Sequence, residues 1–183
     1  ETKRQKLLQM TLQETNRLNS LASNILVSAQ VEAGRSSTRE ELDFASLVKS
    51  SAHDFTVRFP DRKWNIAIQE EAELYGDSLL LQILVNNLIE NAIKYSAPGS
   101  AISCSLEETE GTITLKIADE GPGIPVAEKK KVFEKFYRIG SEQTRSAKGT
   151  GLGLYLCKKS ADDHNAEIII EDNVPKGSVF IVE

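Results

Sequence analysis

The chain is poor in the residues that mark metal centres, disulfide frameworks and membranes. Its 183 residues include two cysteines, Cys104 and Cys157, which are far apart and lack metal-ligand spacing. They are expected to be small buried thiols of a reducing compartment rather than a disulfide. No apolar run reaches the roughly 20 residues that cross a bilayer. The N-terminus, ETKRQKLLQ, lacks a signal-peptide core. A net charge of −5 argues against a nucleic-acid surface, so no nucleic-acid partner is expected. The hydrophobic share of 40% and charged share of 27% are ordinary for a soluble globular protein. The length allows one full domain plus an extra element.

Residues 1 to about 33 form one amphipathic pattern. Leu8, Leu12, Leu18, Leu21, Ala22, Ile25, Leu26 and Ala29 recur at helical spacing, and Gly34 offers a stop. A lone helix cannot bury such a stripe, so it needs a partner helix in its own chain or another copy. The polar stretch RSSTREE, residues 35–41, reads as a linker. A strand at Glu41–Ala45, a helix at Ser46–Phe59 and a half-buried strand at Trp64–Gln69 follow. Asp77 caps an apolar helix that ends at Ala97-Pro98-Gly99. Ala101–Glu107 and Thr112–Ala118 read as a hairpin around Glu110-Gly111. Residues 120–150 form a long loop with a short helical stretch near Val126–Phe133. A helix at Gly151–His164 and strands at Glu167–Glu171 and Ser178–Val182 close the chain. The fold expected is α+β: a two-layer sandwich of a mixed or antiparallel sheet with helices on one face, preceded by one long amphipathic helix.

Asn87-Leu88-Ile89-Glu90-Asn91 lies within the apolar helix and leads to Lys94-Tyr95. Carboxamides four residues apart share a helix face, and the lysine and tyrosine follow on it. Amide oxygens suit Mg²⁺, an ammonium suits phosphate, and a tyrosine ring can stack on a purine. The helix is apolar nearly all round, so both asparagines must find partners.

Asp119-Glu120-Gly121-Pro122-Gly123-Ile124 leaves the end of a strand. A carboxylate there can accept from an exocyclic amine, while the glycines let backbone approach a flat ligand. Alone, a plain Gly-Pro turn would account for it. Lys148-Gly149-Thr150-Gly151-Leu152-Gly153-Leu154 precedes a helix, a natural phosphate cradle, although a hinge is the commoner meaning of an isolated glycine cluster. Between the two lies Val132-Phe133-Glu134-Lys135-Phe136-Tyr137-Arg138, three aromatics in a polar loop that suggest a lid.

This order of motifs resembles the N, G1, F and G2 boxes of the catalytic, ATP-binding domain of bacterial sensor histidine kinases. The resemblance covers residues from about 40 to 183 and implies the fold shared with gyrase-type ATPases. Residues 1–34, with Glu14-x-x-Arg17-Leu18-x-x-Leu21-x-x-x-Ile25-Leu26, resemble the second helix of the kinases' dimerisation and histidine-phosphotransfer bundle. Residues 35–41 would link it to a catalytic domain at 42–183.

By this resemblance the cofactors are ATP and Mg²⁺, with Asn91 the metal ligand. Asn87 stands where gyrase-type relatives carry a glutamate base, and it, Lys94 and Arg138 would be the catalytic set. Tyr95 would lie on the adenine, and Asp119 would accept from its amino group. Gly121, Gly123 and Ile124 would shape that pocket, with Ser178 nearby. Gly149, Thr150, Gly151, Leu152 and Gly153 would clasp the phosphates. The reaction implied is transfer of the γ-phosphoryl to a histidine and then to an aspartate of a response-regulator receiver domain, within a homodimer held by the helical bundle. The setting implied is cytoplasmic, as the cytoplasmic portion of a membrane-bound sensor.

The acceptor motif of the family, a histidine followed by an acidic residue, is not matched. His53-Asp54 continues as Phe55-Thr56-Val57-Arg58, and His164 precedes Asn165-Ala166 where the family commonly has two glycines. The chain is therefore expected to bind Mg-ATP without phosphorylating itself. A nucleotide-binding interaction module that transfers nothing is the competing reading. An anti-sigma-factor-type serine kinase is a third, opposed by the leucine-rich first helix.

Overall fold

The computed structural model describes residues 3–33, 38–140 and 149–183. Gly34, the linker residues 35–37 and Lys148 lie outside them, as do the side chains of Leu12 and Arg17. The chain divides into two units, Glu1–Ser36 and Ser37–Glu183. The first is one helix, α1 (Lys3–Glu32). The Thr11 and Thr15 hydroxyls donate back to the carbonyls of Leu7 and Thr11 at 3.0 and 2.9 Å, which satisfies them within the helix. Leu8, Leu18, Ile25 and Leu26 of the expected stripe are exposed.

The second unit runs β1 (Glu40–Asp43), α2 (Phe44–Arg58), β2 (Lys63–Ile68), β3 (Glu73–Gly76), α3 (Ser78–Tyr95), β4 (Ala101–Thr109), β5 (Thr112–Asp119), a 3₁₀ turn (Lys131–Phe133), α4 (Gly153–Asp163), β6 (Ile168–Asp172) and β7 (Ser178–Val182). The main sheet has the order β2-β4-β5-β7-β6. β2 pairs with β4 in parallel and the other neighbours are antiparallel, so the sheet is mixed. Period-two alternation buries Ile102, Cys104 and Leu106 of β4 together with Leu115 and Ile117 of β5. These share one core with Leu84, Leu88 and Ile89 of α3 and with Val48 and Phe55 of α2. Among the described residues, no helix is long and apolar enough to cross a membrane.

Most strand and helix ends move by one or two residues from the sequence reading, and some of these shifts have a visible cause. Helix α2 starts at Phe44 rather than Ser46, because the Asp43 carboxylate accepts the Ser46 N–H at 2.9 Å and so takes the cap. The strand expected at Glu41–Ala45 is β1, which takes in Glu40 from the expected linker and ends at Asp43. Helix α4 starts at Gly153 rather than Gly151, since Gly151 has φ +73°, outside the helical region. The helical stretch near Val126–Phe133 is reduced to a 3₁₀ turn at its end. Strand β3 was not foreseen: it pairs with β1, placing Leu42 opposite Leu74 in a small antiparallel ribbon. The β4–β5 hairpin turns at Glu110 and Gly111, both with positive φ (54° and 80°), as a two-residue primed turn requires.

Candidate functional site

The site is built around the last turns of α3. Asp77 starts this helix by accepting the N–H groups of Leu79 and Leu80 at 3.0 and 3.1 Å. Leu81, Leu84, Val85, Leu88, Ile89 and Ala92 then occupy the core. Their burial fixes the helix rotation and leaves Asn87, Asn91 and Lys94 along one flank. Asn87 is 7% exposed, and its Nδ2 donates to the Ile83 carbonyl at 2.8 Å. Its Oδ1 fits against Gly153, where an added Cβ would stand only 2.6 Å away. Glycine at 153 therefore lets α4 begin beside Asn87. The half-buried Asn91 carboxamide has no hydrogen-bond partner among the described residues.

Lys94 reaches the glycine-rich loop. Its Nζ would lie 2.4 Å from a Cβ at Gly149, so the loop backbone passes directly over the ammonium. The same Nζ donates to the Tyr95 hydroxyl at 3.0 Å and sits 4.6 Å from the centre of its ring. Tyr95 leaves 45% of its surface open. An exposed ring beside a cation at the mouth of a glycine loop is poised to receive a flat ligand bearing negative charge.

Asp119 ends β5 on the same sheet face as Leu115 and Ile117, so strand alternation aims its carboxylate inward. It is 5% exposed. Its Oδ1 accepts the Gly121 N–H at 2.7 Å, and the Ser178 N–H also donates to the carboxylate. Burial pushes its pKa above the ordinary carboxylate value, while the two backbone donors pull it back in part. The turn that follows is tight. A Cβ at Gly121 would meet Asp119 Oδ1 at 2.6 Å and the Tyr95 carbonyl at 2.9 Å. This joins the Asp119 turn to the end of α3. Gly123, at φ +77°, faces the Gly177 carbonyl. Ile124 packs on the core, and Ser178 is buried at the start of β7.

The aromatic segment meets the glycine loop through backbone. The Phe136 N–H donates to the Gly151 carbonyl at 2.9 Å, and a Cβ on Gly151 would strike the Phe136 backbone at 2.6 Å. Phe136 itself takes φ +65°, an unusual state for a non-glycine residue, and its ring is exposed. Beneath it, the Tyr137 hydroxyl hydrogen-bonds the Glu128 carboxylate, which lowers the Glu128 pKa and raises that of Tyr137. Phe133 and Tyr137 pack on the core and root the segment. Arg138 follows, half-buried. Leu152 is buried and caps α4, while Gly149 and Thr150 are half-buried beside it.

Sequence reasoning missed two supports. Asn173 donates from Nδ2 to the Asp119 carbonyl at 2.8 Å, and no local pattern marks it. Gly177 has φ +115°, and a Cβ there would overlap the Asp119 carbonyl at 1.9 Å. Its signal was visible only as a glycine next to Ser178. Among the described residues, no group of three or more His, Cys, Asp or Glu side chains gathers to hold a metal. A cation here would rely on a neutral oxygen such as that of Asn91 and on the ligand's own oxygens, a donor set that suits Mg²⁺.

Known proteins resemble this chain in sequence and in fold. The family described as histidine kinase-, DNA gyrase B-, and HSP90-like ATPase matches residues 76–183. Sensor protein SrrB of Staphylococcus aureus strain MRSA252 is 32% identical over 180 residues, covering 96% of this chain and 31% of the relative. The chain thus spans about a third of the length of the curated relatives it matches. Among solved structures, the mycobacterial sensor histidine kinase MprB superposes with a TM-score of 0.70 at 29% identity, covering 79% of this chain and 95% of that one. The catalytic domain of histidine kinase ThkA gives 0.69 at 26% identity, covering 79% and 95%.

Proposed function

Because the chain belongs to the histidine kinase-, DNA gyrase B-, and HSP90-like ATPase family, and carries the ATP-binding catalytic domain of a two-component sensor histidine kinase, we propose that its pocket holds Mg-ATP and presents the γ-phosphoryl group to a histidine on a helical bundle. The observation that carries this reading is the meeting of two separate segments, the glycine-rich loop and the Asp119 turn, at α3. Lys94 touches Gly149, Asn87 touches Gly153, and the Tyr95 carbonyl touches the Asp119 turn at Gly121.

Asp119, Gly121, Gly123, Ile124 and Ser178 make the adenine end, with Asp119 accepting the exocyclic amine and Tyr95 covering the ring. Lys94 and the N–H groups of Gly149, Thr150, Gly151, Leu152 and Gly153 hold the phosphates. Asn91 would hold Mg²⁺ through its uncommitted carboxamide oxygen, and the ion, when bound, offsets charge on the phosphate oxygens. Arg138 supplies a further cation as the aromatic segment closes. Asn87 cannot take a proton, and its amide is already committed to Ile83 and the start of α4. It therefore does not activate water, which favours transfer to a protein acceptor over hydrolysis. ADP is the leaving group of the transfer.

Helix α1 acts as the second helix of the dimerisation and phosphotransfer bundle, and its exposed leucines support packing on another helix in a homodimer. The phosphoryl group passes on to a response-regulator receiver domain, in the cytoplasmic portion of a membrane-bound sensor. Neither histidine of this chain suits the acceptor role. His164 accepts the Asp77 N–H at Nε2 (2.9 Å), and its Nδ1 faces the Ser160 carbonyl at 2.7 Å. His53 lies on the surface of α2 outside the family's acceptor motif.

Calorimetric titration with ADP and a non-hydrolysable ATP analogue, with and without Mg²⁺, tests the pocket. Saturable Mg²⁺-dependent binding supports it, and no binding at millimolar nucleotide in a folded sample defeats it. Transfer is tested by adding a bundle that carries the acceptor histidine and looking for acid-labile phosphate on it, with none on this chain alone.

A further inference from the structure

Arg62 lies in the turn between α2 and β2, away from every motif singled out in the sequence. Its N–H holds the turn by donating to the Phe59 carbonyl at 3.2 Å. Its guanidinium is spent on the far end of α3. Nη1 donates to Ser96 Oγ at 2.9 Å, to the Ala97 carbonyl at 2.5 Å and to Ser100 Oγ at 3.3 Å. Nη2 donates to the Ile93 carbonyl at 2.7 Å and the Ser96 carbonyl at 3.3 Å. Arg62 forms no ion pair among the described residues, so its charge faces the negative end of the helix dipole. Only a planar fork with several donors can hold these acceptors at once; a lysine cannot.

The clamped turn is the one that carries the ligand-facing groups. Ile93 and Ser96 flank Lys94 and Tyr95 in sequence. The Tyr95 carbonyl is packed against Gly121, and Lys94 Nζ against Gly149. A helix end normally frays, because its last carbonyls lack partners. Here fraying would swing Tyr95 off the Asp119 turn and Lys94 off the glycine loop together.

We propose that Arg62 is a positioning residue for nucleotide binding, which holds the last turn of α3 so that Tyr95 meets the adenine. This rests on the Mg-ATP reading above. The effect is one of preorganisation: an ordered turn does not have to be ordered by the ligand.

The test is a double-mutant cycle on the full chain, read as Mg-ADP affinity by calorimetry with thermal melting alongside. The variants are R62M, R62K, Y95A and the two pairs of each Arg62 change with Y95A. R62M is expected to weaken binding about tenfold, equivalent to ~1.4 kcal/mol. In the Y95A background the same change should cost clearly less than about tenfold, because the ring is one of the two groups through which Arg62 acts and only Lys94 remains. R62K should lose affinity too while keeping the melting midpoint closer to wild type, and it decides the matter if R62M fails to fold. Wild-type affinity in either folded Arg62 variant would overturn the proposal. So would an equal loss with and without Tyr95, which marks a merely structural clamp. If the unsubstituted chain binds no nucleotide, it is the Mg-ATP reading that fails instead.

Discussion

Replacing Asp119 by Asn separates binding from stability. The change is nearly isosteric and removes one charge from a side chain that is 5% exposed. A hydrogen bond to a charged group is worth about 1.5–3 kcal/mol. Losing the carboxylate that accepts the adenine amine should therefore weaken ADP binding by about 10- to 150-fold, at 1.4 kcal/mol per factor of ten. The empty fold should respond in the opposite direction. Burial raises the Asp119 pKa above its ordinary 3.8, so the folded chain binds this proton more tightly than the unfolded chain. The stability this group contributes is then full below pH 3.8 and is lost as pH rises through the raised value. At neutral pH the ionised carboxylate is a cost to the empty domain, and D119N relieves it, since a carboxamide oxygen still accepts from Gly121 or Ser178. Melting of the nucleotide-free variant should match or exceed that of wild type, and the upward shift given by Mg-ADP should shrink at equal nucleotide concentration. Wild-type affinity in D119N would refute Asp119 as the adenine acceptor. A much lower melting midpoint would refute the burial argument and show that the two backbone bonds outweigh it.

Three further outcomes follow from the same geometry. Asn91→Ala should make ADP affinity in Mg²⁺ equal to that measured in EDTA, because the only change is loss of one neutral oxygen; calorimetry in both buffers checks it. Gly151→Ala places a Cβ 2.6 Å from the Phe136 backbone at φ +73°. Left-handed strain of about 1–3 kcal/mol should lower the melting temperature, and the Phe136 amide should lose protection from hydrogen exchange. Burial pushes the Cys104 thiol up to about 12 and raises that of Cys157 as well. Neither should react with a thiol reagent at pH 8 until the domain unfolds, so the labelling rate should track unfolding in urea.

What was legible in advance had local causes. The apolar run of α3 with its Asp77 cap, the Glu110-Gly111 turn and the glycine-rich start of α4 each carry their signal within a few residues. Two of the boundaries that shifted, the starts of α2 and α4, did so for equally local reasons, the Asp43 cap and the positive φ of Gly151. Strand β3 was different. Four residues are too few to show a period, and its reason for being extended is a partner strand on the other side of α2.

The sequence by itself determined the chemistry available: two carboxamides, a lysine and a tyrosine on one helix flank, an aspartate at a strand end, and glycines where backbone must come close. These depend on residue type and on the periods of 3.6 and 2, which any reader of the chain can count. Only the tertiary structure decided which of them meet, and how firmly. Lys94 over Gly149, Asn87 against Gly153, Asn173 behind Asp119, and Arg62 on the end of α3 join segments distant in sequence, and no local pattern encodes such pairs. Their geometry comes from the packing of α3 between α2, α4 and the sheet, where close-packed side chains leave the helix one rotation and one height.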